Sequence, residues 1–258
     1  MRTGYLVAVL VANLANSGRA QIRDAGSSEI RKQWVLGEHL ARDLDQRAGL
    51  VYDVPLLDYV QRIEVRVAGA IGANPMEVRV TASSELLATL LPNRVLYLSS
   101  GMLARIESES ELAGMLAHEL AHSQHGSRAA PTGGIDVLLP QCVLGSSLTP
   151  MIRTSEMHDE EVLATADAVL YTKLANYDPL AALEILSKLA YENPRWGKAL
   201  HSEDLLDMRA TLEREAPPAS GYILDSSDFI EQHAKMVSAV GDVARKTPQP
   251  SLTSPRIR

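Results

Sequence analysis

Helical spacing of apolar residues dominates the chain, with two short stretches where the period drops to two. Between Ser28 and Ala48, Ile30, Trp34, Leu40 and Leu44 recur near the 3.6-residue period of a helix. Asp53-Val54-Pro55 is a helix start with proline in the first turn. The helix it opens carries Leu57, Val60, Ile63, Val67 and Ile71 on one side and ends at Gly72 and Pro75. Val78 and Val80 alternate with Glu77, Arg79 and Thr81, which predicts a half-buried strand. A second strand, Val95 to Leu98, follows the turn signal Pro92-Asn93. Ser110 or a neighbour then caps a helix through Leu112, Met115 and Leu116.

The stretch Gly126 to Pro150 is rich in Gly, Pro and Ser and reads as a loop; its position directly after a helix makes it a candidate lid. Helical patterning returns from Glu156 to Asn176, and Asp178-Pro179 starts another helix to about Tyr191. Pro217-Pro218 interrupts the next segment. These elements predict one α+β domain, mainly helical, with a small β-sheet.

At the N-terminus, Arg2 precedes the unbroken apolar run Tyr5 to Ala12, and small residues follow up to Gly18-Arg19-Ala20. That is the layout of a secretory signal peptide cleaved after Ala20. The run is far shorter than the ~20 apolar residues of a membrane span. The expected organisation is therefore a leader over 1–20, one main domain over 21–245 and a flexible tail over 246–258. The protein is expected to be secreted or periplasmic, and membrane-anchored if the leader is retained.

Composition narrows the function. A net charge of −7 argues against nucleic acid as a partner, and the one cysteine, Cys142, excludes an intrachain disulfide or an iron–sulfur cluster.

The chemistry is concentrated in HELAH, His118 to His122, on an uninterrupted helical stretch. Residues four apart differ by about 40° in rotation and 6 Å in rise, so both imidazoles face one point and can share a zinc ion. Glu119 lies beside the metal without binding it, placed to take a proton from the zinc-bound water and pass it to a leaving amine. A third ligand must come from another element. Glu161 is the best candidate by position; Glu160 points about 100° away, and His158 and Glu156 sit about one turn earlier. His125 follows His122 closely, but three histidines on one short helix would crowd one ion, which favours an outer role.

Two stretches together resemble a known family. NRVLYLSSGMLARIESESELAGMLAHELAHSQHG, Asn93 to Gly126, and EVLATADAVLYTKLANYDP, Glu161 to Pro179, resemble the HtpX/BepA/CAAX-prenyl-protease family of zinc metallopeptidases, a gluzincin group. The resemblance covers roughly Gly37 to Met236. It implies a zincin-like fold with the sheet beside the HExxH helix, one Zn2+ per chain on His118, His122 and Glu161, and Glu119 as catalytic base. It implies polypeptide substrates, misfolded or extended, which add as a strand beside the sheet along Val95 to Leu98, and a role in envelope protein quality control. Thr165 stands where the family usually has an aspartate, and His201-Ser202 is an imperfect match to the family's Thr-His-Pro stretch. Thr165 and His201 are thus the candidate outer-shell or oxyanion groups, with Tyr171 and Tyr177 as further oxyanion donors. These departures motivate the alternative of a zinc-binding, chaperone-like or inactive homologue with little turnover.

Overall fold

The structure, a computed structural model, describes residues 31–125, 154–215 and 221–246. The leader, the Gly126–Pro150 stretch, the Pro217-Pro218 break and residues 247–258 lie outside them.

Residues 31–47 form helix α1. Helix α2, Val54–Ala70, starts where the sequence predicts: Asp53 accepts the Leu56 N–H at 3.0 Å and Pro55 occupies the first turn. Val60, Ile63 and Val67 are buried as expected, and Leu57 and Ile71 pack at the margin of the core. The buried side is wider than the apolar pattern suggests, because Leu56, Tyr59 and Glu64 are buried as well. The Glu64 carboxylate accepts the Met76 N–H at 2.9 Å, fixing the entry to the sheet, and burial pushes its pKa up to about 7. Gly72, at φ 68°, ends the turn after the helix.

The sheet has three strands: β1, Glu77–Thr81; β2, Ala88–Leu90; and β3, Val95–Ser99. The sequence predicts β1 and β3 but not β2, which lies in the apolar run Leu86–Leu91 where no alternation marks a strand. The order is β1-β3-β2, with β1 parallel and β2 antiparallel to β3. The central strand is buried throughout because both faces are covered. Val95 and Tyr97 pack under α1 with Leu40 and Leu44, while Leu96 and Leu98 join the main core with α2.

The short helix α3, Ser100–Leu103, leads to α4, Glu109–Gln124. The N-cap of α4 is Ser108, which accepts the Glu111 N–H at 3.1 Å; Glu111 in turn accepts the Glu107 N–H at 2.8 Å. The two bonds, one to the cap residue and one from the residue before it, fix the helix start. Helices α5, Thr154–Leu174, and α6, Pro179–Glu192, then pack on α4, as does α2. Asn176, at φ 66°, makes the turn between α5 and α6, and Asp178 caps α6 through the Leu180 N–H. Helices α7, Pro194–Ala199, α8, Ser202–Glu215, and α9, Phe229–Lys246, complete the described fold. The α+β, mainly helical class expected from the sequence is the observed one.

Residues 109–122 of α4 are all buried. Gly114 is where α6 comes closest: a Cβ there would lie 2.5 Å from the Ala182 Cα. Small residues on α4 therefore let its neighbours approach on every side and hold the HELAH turn in the middle of the core.

Candidate metal centre

Three candidate ligand side chains meet at the C-terminal half of α4. His118 and His122 project from successive turns, and Glu161 comes across from α5. His118 Nε2 lies 3.1 Å from His122 Nε2 and 3.1 Å from Glu161 Oε2, and His122 Nε2 lies 3.4 Å from the same oxygen. Their donor atoms make one compact group. All three side chains are buried.

This triangle fits a metal ion. Ligands about 2.0–2.1 Å from a tetrahedral zinc are separated by roughly 3.3–3.4 Å. Two imidazole nitrogens and one carboxylate oxygen are also a donor set suited to zinc. The electrostatics agree with a buried cation site. Burial alone would raise the pKa of Glu161, but its contacts with His118 and His122 hold it well below the usual carboxylate range. Burial lowers the pKa of His118. For His122, burial acts downward too, but the Glu161 carboxylate outweighs it and the net shift is upward.

Glu119 is buried beside this group, and burial pushes its carboxyl up to about 7. It makes no contact that would place it among the three donors. The indole of Trp196, on α7, packs against the His118 ring with centroids 5.6 Å apart. Nothing local in the sequence marked Trp196, since it is brought in by the packing of α7 beside α5.

The other expected residues are elsewhere. Thr165 is fully buried one turn beyond Glu161, and its hydroxyl donates to the Glu161 backbone carbonyl at 2.7 Å. It thus braces the helix that carries the carboxylate. The Nδ1 atoms of His118 and His122 are buried with no hydrogen-bond partner among the described residues. His201 does not join the centre; it is exposed and stacks on His158. His158, a rival for the third ligand, contacts the Ala199 carbonyl, and the carboxylate across from the histidines is that of Glu161. Tyr177 is withdrawn as an oxyanion donor because its hydroxyl donates to Glu109 at 2.9 Å, and Tyr171 donates to Asp167 at 3.3 Å. His125 bonds Asp167 at 2.7 Å, outside the three-donor group.

The family model for Peptidase family M48 matches residues 58–213, more than half of the chain. The chain belongs to peptidase family M48. The match spans α4 and α5 and hence the whole His118, His122 and Glu161 centre. M48 membership makes the chain a metallopeptidase, a hydrolase acting on peptide bonds. No curated protein matches the chain at a significant level.

If the three side chains hold an ion, Glu161→Ala should weaken zinc binding by more than the 10–100-fold that loss of an outer-shell partner costs. Equilibrium dialysis against buffered zinc, with elemental analysis of the retained protein, measures this. Unchanged affinity in the variant would remove Glu161 from the site.

Proposed function

We propose that the His118, His122 and Glu161 group holds one zinc ion and that this M48 peptidase is a zinc-dependent endopeptidase. The observation that carries the reading is the 3.1–3.4 Å triangle of donor atoms with Glu119 buried beside it. Zinc held there would supply Lewis-acid polarisation of the scissile carbonyl and acidify an adjacent water.

The protein's own contribution begins with orientation. Glu161 is fixed by α5, whose backbone Thr165 braces at the Glu161 carbonyl. His118 and His122 are held by a helix buried along nearly its whole length. Glu119 receives the proton of the attacking water at its carboxylate and returns it to the leaving amine. Burial of all four side chains excludes bulk solvent and strengthens each of these electrostatic contacts.

The proposed docking edge is not the Val95 to Leu98 strand that the family resemblance implied. Val95 to Leu98 lies in β3, whose two edges are already paired with β1 and β2, so no peptide can add there. Of the two outer strands, β1 is bridged on its far side by the segment around Leu50, whereas β2, which packs beside α4, has no strand on its outer side among the described residues. Leu87 and Leu91 turn their backbone groups toward β3, so by alternation Ala88 and Leu90 turn theirs outward. An extended polypeptide adding to that edge would be held by main-chain hydrogen bonds and so would tolerate varied sequence.

Cell location is part of the same proposal. The leader-like segment Met1 to Ala20 supports export, with misfolded envelope proteins as substrates. No described helix is long and apolar enough to cross a membrane.

Three measurements test these statements. Glu119→Gln should lower casein hydrolysis by about 10²–10⁴-fold, the range for general acid–base catalysis, while zinc content is retained. Equal turnover by the variant would remove Glu119 as the catalytic base, whereas no turnover by the zinc-loaded parent would favour a binding role over catalysis. Leu90→Pro deletes one outward N–H and should raise KM by up to about tenfold, the equivalent of one hydrogen bond; an unchanged KM would exclude β2 as the docking edge. The mature protein recovered from the producing cells should begin at Gln21, and a retained Met1 in the intact mass would argue against cleavage.

A further inference from the structure

A second group of metal-ligand side chains lies outside the HELAH centre. His158 is on α5, one turn before Glu161; His201 follows α7; Asp204 is in the first turn of α8. The candidate donor atoms of the three lie within 4.8 Å of one another. We propose that His158, His201 and Asp204 form a second binding site for a divalent transition-metal ion, with zinc as the ion that suits the donors.

Distances separate this reading from an ordinary ion-paired cluster. His125 and Asp167, elsewhere on the same molecular surface, meet directly at 2.7 Å. Asp204 Oδ2, by contrast, lies 3.6 Å from His158 Nε2 and 3.9 Å from His201 Nδ1. Those separations are too long for a hydrogen bond. Two ligands of a tetrahedral ion at about 2.0–2.2 Å stand roughly 3.3–3.6 Å apart, so the His158 spacing already fits and the His201 nitrogen would have to approach by a few tenths of an ångström. Asp204 Oδ2 is also buried with no hydrogen-bond partner among the described residues, although an acceptor shielded from water is normally satisfied.

The imidazole of His158 is turned to serve as a ligand. Its Nδ1 lies 3.1 Å from the Ala199 carbonyl, which can only accept a hydrogen bond. Nδ1 is therefore the donor, which in the neutral ring leaves the Nε2 lone pair facing Asp204. Donation of the second ring nitrogen to a backbone carbonyl is the usual support of a metal-bound histidine. The His201 side chain is 55% exposed and stacks on His158 with centroids 4.3 Å apart. Binding would require its ring to turn inward from this stacked position to close the triangle, leaving the remaining coordination positions to solvent. Two imidazoles and one carboxylate select zinc and its transition-metal neighbours over magnesium or calcium, which prefer all-oxygen shells.

An ion at this position would tie α5 to the α7–α8 junction. Helix α7 carries Trp196, the residue against His118. The second ion would thus fasten the wall of the HELAH centre without entering it.

The test is zinc stoichiometry of the purified full chain, measured by elemental analysis after dialysis against buffered zinc, for the parent, His201→Ala, Asp204→Asn and Glu161→Ala. The parent should retain two ions, and each variant one. The ion lost from His201→Ala should be the more weakly held, and zinc should raise the melting temperature of that variant less than that of the parent. A parent that holds only the ion removed by Glu161→Ala would overturn the second site. So would His201→Ala and Asp204→Asn variants that fold, by circular dichroism, and still retain two ions. Loss of an ion from His201→Ala but none from Glu161→Ala would support the second site while removing the zinc assignment of the first.

Discussion

The burial of α4 on all sides is the constraint from which the rest of the architecture follows. A helix that must bring two imidazoles and a carboxylate into a dry centre cannot lie on the surface, and one in the middle of a domain must let helices approach from several directions. Gly114 and the alanines at 113, 117 and 121 meet that requirement. The buried Ala164 and Ala168 of α5 do the same from the opposite side. Close approach of backbones brings Glu161 within 3.4 Å of both histidines. Bulkier residues along this interface would separate the helices and with them the three donors.

A second buried carboxylate holds the other end of α4. Glu109 receives the Tyr59 hydroxyl at 2.8 Å, the Tyr177 hydroxyl at 2.9 Å and the Ser226 N–H at 3.2 Å. These donors come from α2, from the α5–α6 turn and from the segment before α9. Burial, together with the Glu109 charge, pushes both tyrosine hydroxyls upward in pKa, so they remain donors. The two ends of the helix are therefore fixed by different chemistry. Hydrogen bonds to a satisfied anion hold the start, and the centre that suits a cation occupies the end. Lys188 adds a bridge to Glu111 and Glu107 at 2.7 Å each, tying α6 to the same N-terminal turn.

The surroundings of the HELAH centre depart from what its family resemblance implies. Thr165 spends its hydroxyl on its own helix, and both histidine Nδ1 atoms lack described partners. Orientation of the imidazoles then rests on packing, including the Trp196 ring, more than on outer hydrogen bonds. That places weight on α7, which is short and is joined to α5 through the His158 contact with Ala199. The same short helix is thus involved in both clusters of histidines.

Local sequence determined the features that near neighbours control. Asp53, Asp178 and the Ser108 region announce helix starts because a cap is satisfied within three residues. HELAH sets two histidines on one helix face because residues four apart nearly coincide in rotation, and the spacing of the second family stretch pointed to Glu161. Strand β2 was not legible: it is paired on one side only, and its run of leucines carries no alternation. The central place of β3 was equally hidden, because strand order is set by pairing between segments and not by the pattern within one. Glu64, Glu109 and Glu111 look like surface charges in a sequence, and only the packed structure shows them buried with their donors. His158, His201 and Asp204 come together for a like reason, across more than forty residues of chain. Periodicity and caps are short-range physics that a sequence displays directly, whereas the meeting of distant polar groups depends on how the helices close over one another.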